Sequence, residues 1–490
     1  MVTCCAVGGR ERACRFSKLS QESLVFSSGL RWRTVAAMAT GLGLAAAPVL
    51  AQPGAAAASC GSAAAVSASR AAEPVEAPLV TFDSAWTIIG RTHWDTSYNG
   101  VNWRAVREEL RPRAEAARTM GELRAVLTDL VGRLRQSHFS IIPQEVSDAT
   151  AGTGSASRGS GGSLGFEVRL VDSVMLVAQV DTGGAAWDAG VRPGWVVESV
   201  RGCPVASRLS RLPKDADRRR TLLSAYQVTT QAMAGAEGDT LPLVFRDAAD
   251  KPRALALVQR HAPGSVTKLG NLPPLASRLT WYRVKAGGRT VGVIKFNIWM
   301  PVLAAQFDAA IDSLRRSDAI VLDIRGNFGG VGGMSMGFAG HFLDTAIAIG
   351  TMHQRGATLN FVANPRRSDT RAQPVKPFAG PVALVVDELS ISTTEIFADG
   401  LQAVHRATVF GVQTAGQALP SVTERLPNGD ILYHAIADFT SPTGKPVEGD
   451  GVIPDQVVPV TRKALLAGRD PALDAALAWA AKAAPRALVP

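Results

Sequence analysis

From residue 290 onward, short apolar runs alternate with stretches of helical period, and this alternation constrains the fold more than any other feature. Residues 290–297, 319–324, 381–387 and 408–412 are rich in aliphatic and β-branched side chains and too short for stable helices. Between the first two, residues 303–316 set Leu303, Phe307, Ile311 and Leu314 on one helical face, and a second helix is predicted over 394–404. Strands that alternate with helices predict βαβ units around a mostly parallel sheet.

The segment before that core divides at two linker-like stretches. Residues 52–78 are rich in Ala, Ser and Gly and lack periodicity; residues 151–163 (AGTGSASRGSGGS) are a second break. Between them a helical domain is predicted over 79–150. It begins near Phe82 and Trp86, and a second helix carries Trp103, Val106 and Leu110. A third is expected over 119–136, capped by Thr119 with Glu122 three residues on. Residues 161–262 are predicted to be β-rich, with strands at 164–170, 174–180, 195–200, 241–246 and 254–259 and one helix at 221–234. A Pro-bearing connection leads to the core at 276–462, and 463–490 is expected to be a helical tail. A chain of 490 residues is too long for one core, so this multidomain α/β division is the natural one.

Residues 1–51 predict export. A basic flank at Arg31 and Arg33 precedes a small, apolar run (35–51) that ends in Val49-Leu50-Ala51, a plausible cleavage site. The run is short and Gly/Ala-rich for a membrane span. The expected location is the periplasm or the exterior, with membrane contact only if the leader stays uncleaved or Cys60 is lipidated. The net charge of +10 is modest for this length, and no basic run is interleaved with aromatics, so nucleic acid is not an expected partner. Cleavage after Ala51 leaves Cys60 and Cys203, whose spacing suggests neither a disulfide framework nor a metal site.

Four segments carry chemistry. In Val385–Phe397 an apolar strand runs into Ser390, Ser392, Thr393 and Thr394 and then a helix. A serine there lies beside free N–H groups that can stabilise an oxyanion, although Ser and Thr at such a junction commonly serve only as caps. Arg325-Gly326-Asn327-Phe328-Gly329-Gly330 follows a buried strand. Its glycines let backbone approach a substrate, or simply make a turn, and no Lys-Ser/Thr follows as a phosphate loop needs. Ser137-His138 offers a general base or a surface histidine at a helix end. Pro446–Asp455 can fix Glu448 in a rigid turn, or face solvent.

Together these segments resemble the tail-specific (C-terminal processing) and tricorn-core serine peptidases over about residues 80–460. Residues 320–330 (IVLDIRGNFGG) match the family's strand-plus-glycine segment. Ser390–Glu395 matches its nucleophile segment, Thr414-Ala415-Gly416 its glycine turn, and Glu448–Asp455 its closing pattern. The resemblance implies a ClpP/crotonase-like catalytic core, no cofactor and no metal, and polypeptide substrates held through exposed C-termini. It also implies that 161–262 is PDZ-like, with Leu164, Gly165 and Phe166 in a carboxylate-binding loop. One catalytic scheme in the family uses a lysine 25 residues after the nucleophile, where this chain has Gln417. The tricorn-like scheme matches throughout: Ser392 as nucleophile, His138 as base, Glu448 acting through Ser137, and an oxyanion hole of Thr393 with Gly329 or Gly330. A non-catalytic peptide- or ligand-binding protein on the same scaffold, and a displaced base at Lys445, are the alternatives.

Overall fold

The computed structural model describes residues 70–149, 161–212, 217–272 and 274–484. The leader and most of both linkers, with the expectations placed on them, lie outside the described residues.

Three helices come first: α1 (Pro78–Thr92), α2 (Trp103–Ala116) and α3 (Met120–Gly132). α3 starts in a reciprocal capping box between Thr119 and Glu122, as the sequence predicts. It ends at Gly132, four residues short of the expected end, because the chain then turns to carry Ser137 and His138. Phe82, Ile89, Leu110, Leu123 and Leu130 bury completely in one cluster. That cluster also takes Leu426 and Leu432 from the core, so the helices are docked on it. Strand β1 (Ser140–Ile142) completes the docking by pairing with residues 431–433.

The second block holds β2 (Phe166–Val171), β3 (Val174–Val180), β4 (Val196–Val200), α4 (Arg218–Met233), β5 (Thr240–Arg246) and β6 (Pro252–Val258). Its antiparallel sheet runs β2-β3-β4-β5-β6 around its own apolar cluster. Cys203, which pairs beside β4, is buried and disulfide-bonded, a bond the cysteine spacing does not foretell.

The core contains β7 (Leu279–Ala286), β8 (Arg289–Phe296), α5 (Ala304–Leu314), β9 (Ala319–Asp323), α6 (Met334–Ala339), β10 (Ile347–Gln354), β11 (Ala357–Ala363), β12 (Val382–Val386), α7 (Thr393–Ala403), β13 (Thr408–Gly411), β14 (Ser421–Arg425), β15 (Ile431–Ala435), β16 (Ala437–Thr440) and β17 (Gln456–Val457). Helix α8 (Pro471–Ala480) follows. The main sheet runs β7-β8-β9-β12-β13-β17 and is parallel from β8 onward. Side chains alternate between its faces. Ile320, Leu322, Val382 and Leu384 face α5 and α7; Val321, Ala383 and Val385 face α8. Both faces are covered, which is why these strands read as unbroken apolar runs. The C-terminal helix α8 is thus a layer of the core: Ala472, Ala476 and Ala480, four apart, lie buried against the sheet.

Candidate active site

The carboxyl ends of β9 and β12 bring the glycine segment and the serine segment together. Ser392 stands at the N-cap of α7 with φ 60° and ψ −120°, a backbone region non-glycine residues avoid at a cost on the order of 1–3 kcal/mol. Buried Thr394 helps to hold the junction. Its hydroxyl donates to Asn327 O (2.9 Å) and accepts from the indole of fully buried Trp299 (2.8 Å). Ser390, also fully buried, donates to Ile324 O (3.0 Å), so the first serine of the segment is structural.

Gly329 lies directly against this turn. A Cβ added there would come 2.7 Å from Ser392 Cβ, at a φ of +90°. Thr393 Oγ1 donates to Gly330 O (3.0 Å). The Gly329 N–H is already spent on the side chain of Asn327 (3.0 Å). By contrast, the N–H groups of Gly330 and Thr393 donate to no acceptor among the described residues.

Ser137, His138 and Glu448 form a connected relay. Ser137 N and Oγ donate to Glu448 Oε1 (3.0 Å) and Oε2 (2.9 Å), and Ala418 N also donates to Oε2 (2.9 Å). Ser137 Oγ lies 2.7 Å from His138 Nδ1. The hydroxyl has one hydrogen and gives it to the carboxylate, so it must accept from Nδ1–H, which leaves the Nε2 lone pair free. Although His138 keeps some exposed surface, the protein packed around it pushes its imidazole pKa down to about 4, so it is neutral at pH 7. Burial pushes the Glu448 carboxyl up, against the donors from Ser137 and Ala418. His138 sits at φ 60° and packs 5.5 Å from the Tyr433 ring, beside the β1–β15 pairing.

No hydrogen bond joins His138 to Ser392; one turn links Ser392 to the carboxylate that holds Ser137. Gln417 O accepts from Ser392 N (2.8 Å), and the next residue, Ala418, holds Glu448. Gln417 therefore lies against the serine by its backbone. Lys445 is exposed. Leu164 is buried in the second block, and Gly165 N donates to Ser163 Oγ (3.1 Å). Phe166 packs edge-on to Phe245.

Three sets of contacts were not anticipated from the sequence. Helix α4 of the second block leans on the site loops: Leu223 joins Leu389, Ile391 and Ala415, Tyr226 lies 5.6 Å from Phe328, and Arg219 donates to Gly449 O and Asp450 O (2.6 and 2.7 Å). Arg169 of β2 pairs with Asp387 (2.8 Å), whose other oxygen accepts from Gly326 N (2.8 Å). Buried Glu395 collects four donors around Ser392. The aspartate after an apolar strand was a usable signal for the second, and the Ser392-x-x-Glu395 capping pattern for part of the third; no local pattern reports the first.

A hydroxyl on a strained strand-to-helix turn, glycine backbone against it and an oriented neutral imidazole nearby are the marks of the serine-type hydrolases. Comparison with known proteins narrows the class. Residues 290–458 match peptidase family S41, and residues 74–132 match the tricorn protease C1 domain. Carboxyl-terminal-processing peptidase 2, chloroplastic, of Arabidopsis thaliana is 25% identical over 386 residues, which cover 77% of this chain and 68% of that protein. The carboxyl-terminal-processing protease of Picosynechococcus is 24% identical over 383 residues, covering 76% and 82%. The fold resembles that of the photosystem II D1 C-terminal processing protease (TM-score 0.54, 18% identity, 80% of this chain and 95% of that one). It also resembles mature CPAF complexed with lactacystin (TM-score 0.53, 13% identity, 80% and 95%). The chain thus carries a segment matching peptidase family S41 and one matching the tricorn C1 domain, is similar to the carboxyl-terminal-processing peptidases, and is a serine peptidase.

Proposed function

We propose that Ser392 is the nucleophile and His138 the general base of an exported endopeptidase. Glu448 acts through Ser137 to orient and polarise the imidazole. The observation that carries this reading is the relay itself: its one consistent proton arrangement presents a free Nε2, and a single turn ties it to Ser392. Nε2 takes the hydroxyl proton as Oγ attacks a peptide carbonyl. The imidazolium then returns that proton to the leaving amine, and water hydrolyses the acyl-enzyme. The oxyanion hole is formed by the N–H groups of Gly330 and Thr393. This narrows the sequence-based set, because Gly329 spends its N–H on Asn327 and contributes instead by its lack of a side chain.

The core is taken as ClpP/crotonase-like and residues 161–262 as a PDZ-like module. Its loop at Leu164, Gly165 and Phe166 receives a substrate carboxylate while the peptide adds to the edge of β2. The names of the relatives, which process carboxyl termini, support substrates of that kind. An envelope or extracellular location follows from the leader. Among the described residues no helix is long and apolar enough to cross a membrane.

The test is turnover of casein and of a model peptide by Ser392→Ala, His138→Ala and Lys445→Ala. The first two are expected to lose turnover and the third to keep it. Equal turnover by wild type and the first two would sink the assignment, and loss in Lys445→Ala with His138→Ala intact would transfer the base role to that lysine. A wild type that binds peptides without cleaving them would leave only a binding protein.

A further inference from the structure

Glu395 is fully buried, lies one helical turn beyond Ser392, and has no part in the relay. In an ordinary capping box its carboxylate would accept only from the N-cap N–H. Here it accepts from four donors on two separate segments. Thr414 Oγ1 (2.6 Å) and Gly416 N (2.7 Å) meet Oε1; Ser392 N (3.0 Å) and Gln417 N (3.0 Å) meet Oε2. The clamped turn has two further duties. Gln417 O accepts from the same Ser392 N–H (2.8 Å), and Ala418 N holds Glu448 (2.9 Å). Thr414 Oγ1 in turn accepts from Val452 N (2.7 Å), which ties in the segment after Glu448.

We infer that Glu395 is a positioning residue, which fixes the spacing between the strained serine and the Glu448–Ser137–His138 relay by clamping the turn Thr414–Ala418. The inference rests on the assignment of Ser392 and His138 above. Four converging donors suit an ionised carboxylate: its two oxygens accept all four, whereas a protonated acid or an amide would set a hydrogen against one of them. Burial pushes the Glu395 carboxyl up to about 7 while these four donors draw it back, so the group titrates near neutral pH. As pH falls through that value the clamp loses an acceptor.

The experiment compares full-length wild type, Glu395→Gln and Thr414→Val. It measures peptide turnover against pH, the rate of labelling by a serine-directed fluorophosphonate, and amide exchange across 414–418. Glu395→Gln is expected to lower kcat and the labelling rate at least tenfold with KM within about twofold, since fully buried Glu395 offers no surface to a substrate. It should also abolish an acid-side limb near pH 7 and speed exchange at 414–418 alone. Thr414→Val, which removes one donor, should slow labelling several-fold. A mere cap would lose stability without moving the pH limb or the balance of kcat against KM. Wild-type labelling and exchange in Glu395→Gln would overturn the inference. If Glu395→Gln does not fold, Thr414→Val decides, and unchanged labelling there overturns it. An unreactive wild type would instead defeat the nucleophile assignment, and the exchange arm would still report on the clamp.

Discussion

Replacing Ser137 with alanine removes one hydroxyl and tests the relay at its narrowest point. Among the described residues that oxygen is the only link between Nδ1 and Glu448. Without it the imidazole loses its fixed tautomer, and in the proposed mechanism the imidazolium formed during attack loses its contact with negative charge. Glu448 stays anchored by Ala418 N and Ser137 N, so the damage is confined to the ring. A hydrogen bond to a group that becomes charged contributes about 1.5–3 kcal/mol. At 1.36 kcal/mol per decade that predicts a fall in kcat of roughly tenfold to 150-fold. His138→Ala, which removes the proposed base itself, should cost about 10²–10⁴-fold. The double variant should match His138→Ala alone, because residues that act as one unit are not additive. The assay is steady-state hydrolysis of a fluorogenic peptide, with unfolding curves as a check on the fold. A Ser137→Ala enzyme within twofold of wild type, or a double variant that multiplies the two losses, would refute the relay.

Three further predictions follow from the geometry. His138 is neutral above its pKa of about 4, so its contribution to kcat/KM should be constant from pH 6 to 8 and lost as pH falls through about 4, a limb best seen in the Glu395→Gln background. Gly329→Ala should abolish fluorophosphonate labelling with only moderate loss of stability, since its Cβ would meet Ser392 Cβ at 2.7 Å; labelling at the wild-type rate would show that the turn yields. Arg124 holds buried Glu145 and Asp430 at 2.7 Å each, so Arg124→Ala should cost about 3–5 kcal/mol in guanidinium unfolding and loosen the docking that carries His138; a loss under 1 kcal/mol would refute that role.

The sequence reveals what local physics controls. Strands β8, β9 and β12 are legible because both their faces are apolar, and the start of α3 because Thr119 and Glu122 satisfy each other. The strands β10, β11 and β14–β16 escape notice because they mix polar with apolar residues and lack the unbroken apolar runs of the main sheet, although β10–β11 and β14–β15 pair across short turns. Helix α8 reads as a tail because alanines, not large side chains, make its buried face. The four relay and nucleophile residues stand out only as a set. Which backbone donors remain free is decided by Asn327, and no pattern in the chain reports that Gly329 N–H is consumed.

The relay spans 311 residues between Ser137 and Glu448, with Ser392 in between. On the proposed assignment a ribosome makes the base first, the nucleophile much later and the orienting carboxylate after both. On this assignment every nascent or prematurely ended chain that stops short of that carboxylate lacks a working centre. The order of residues along the polypeptide thus withholds proteolytic power until that carboxylate has been synthesised.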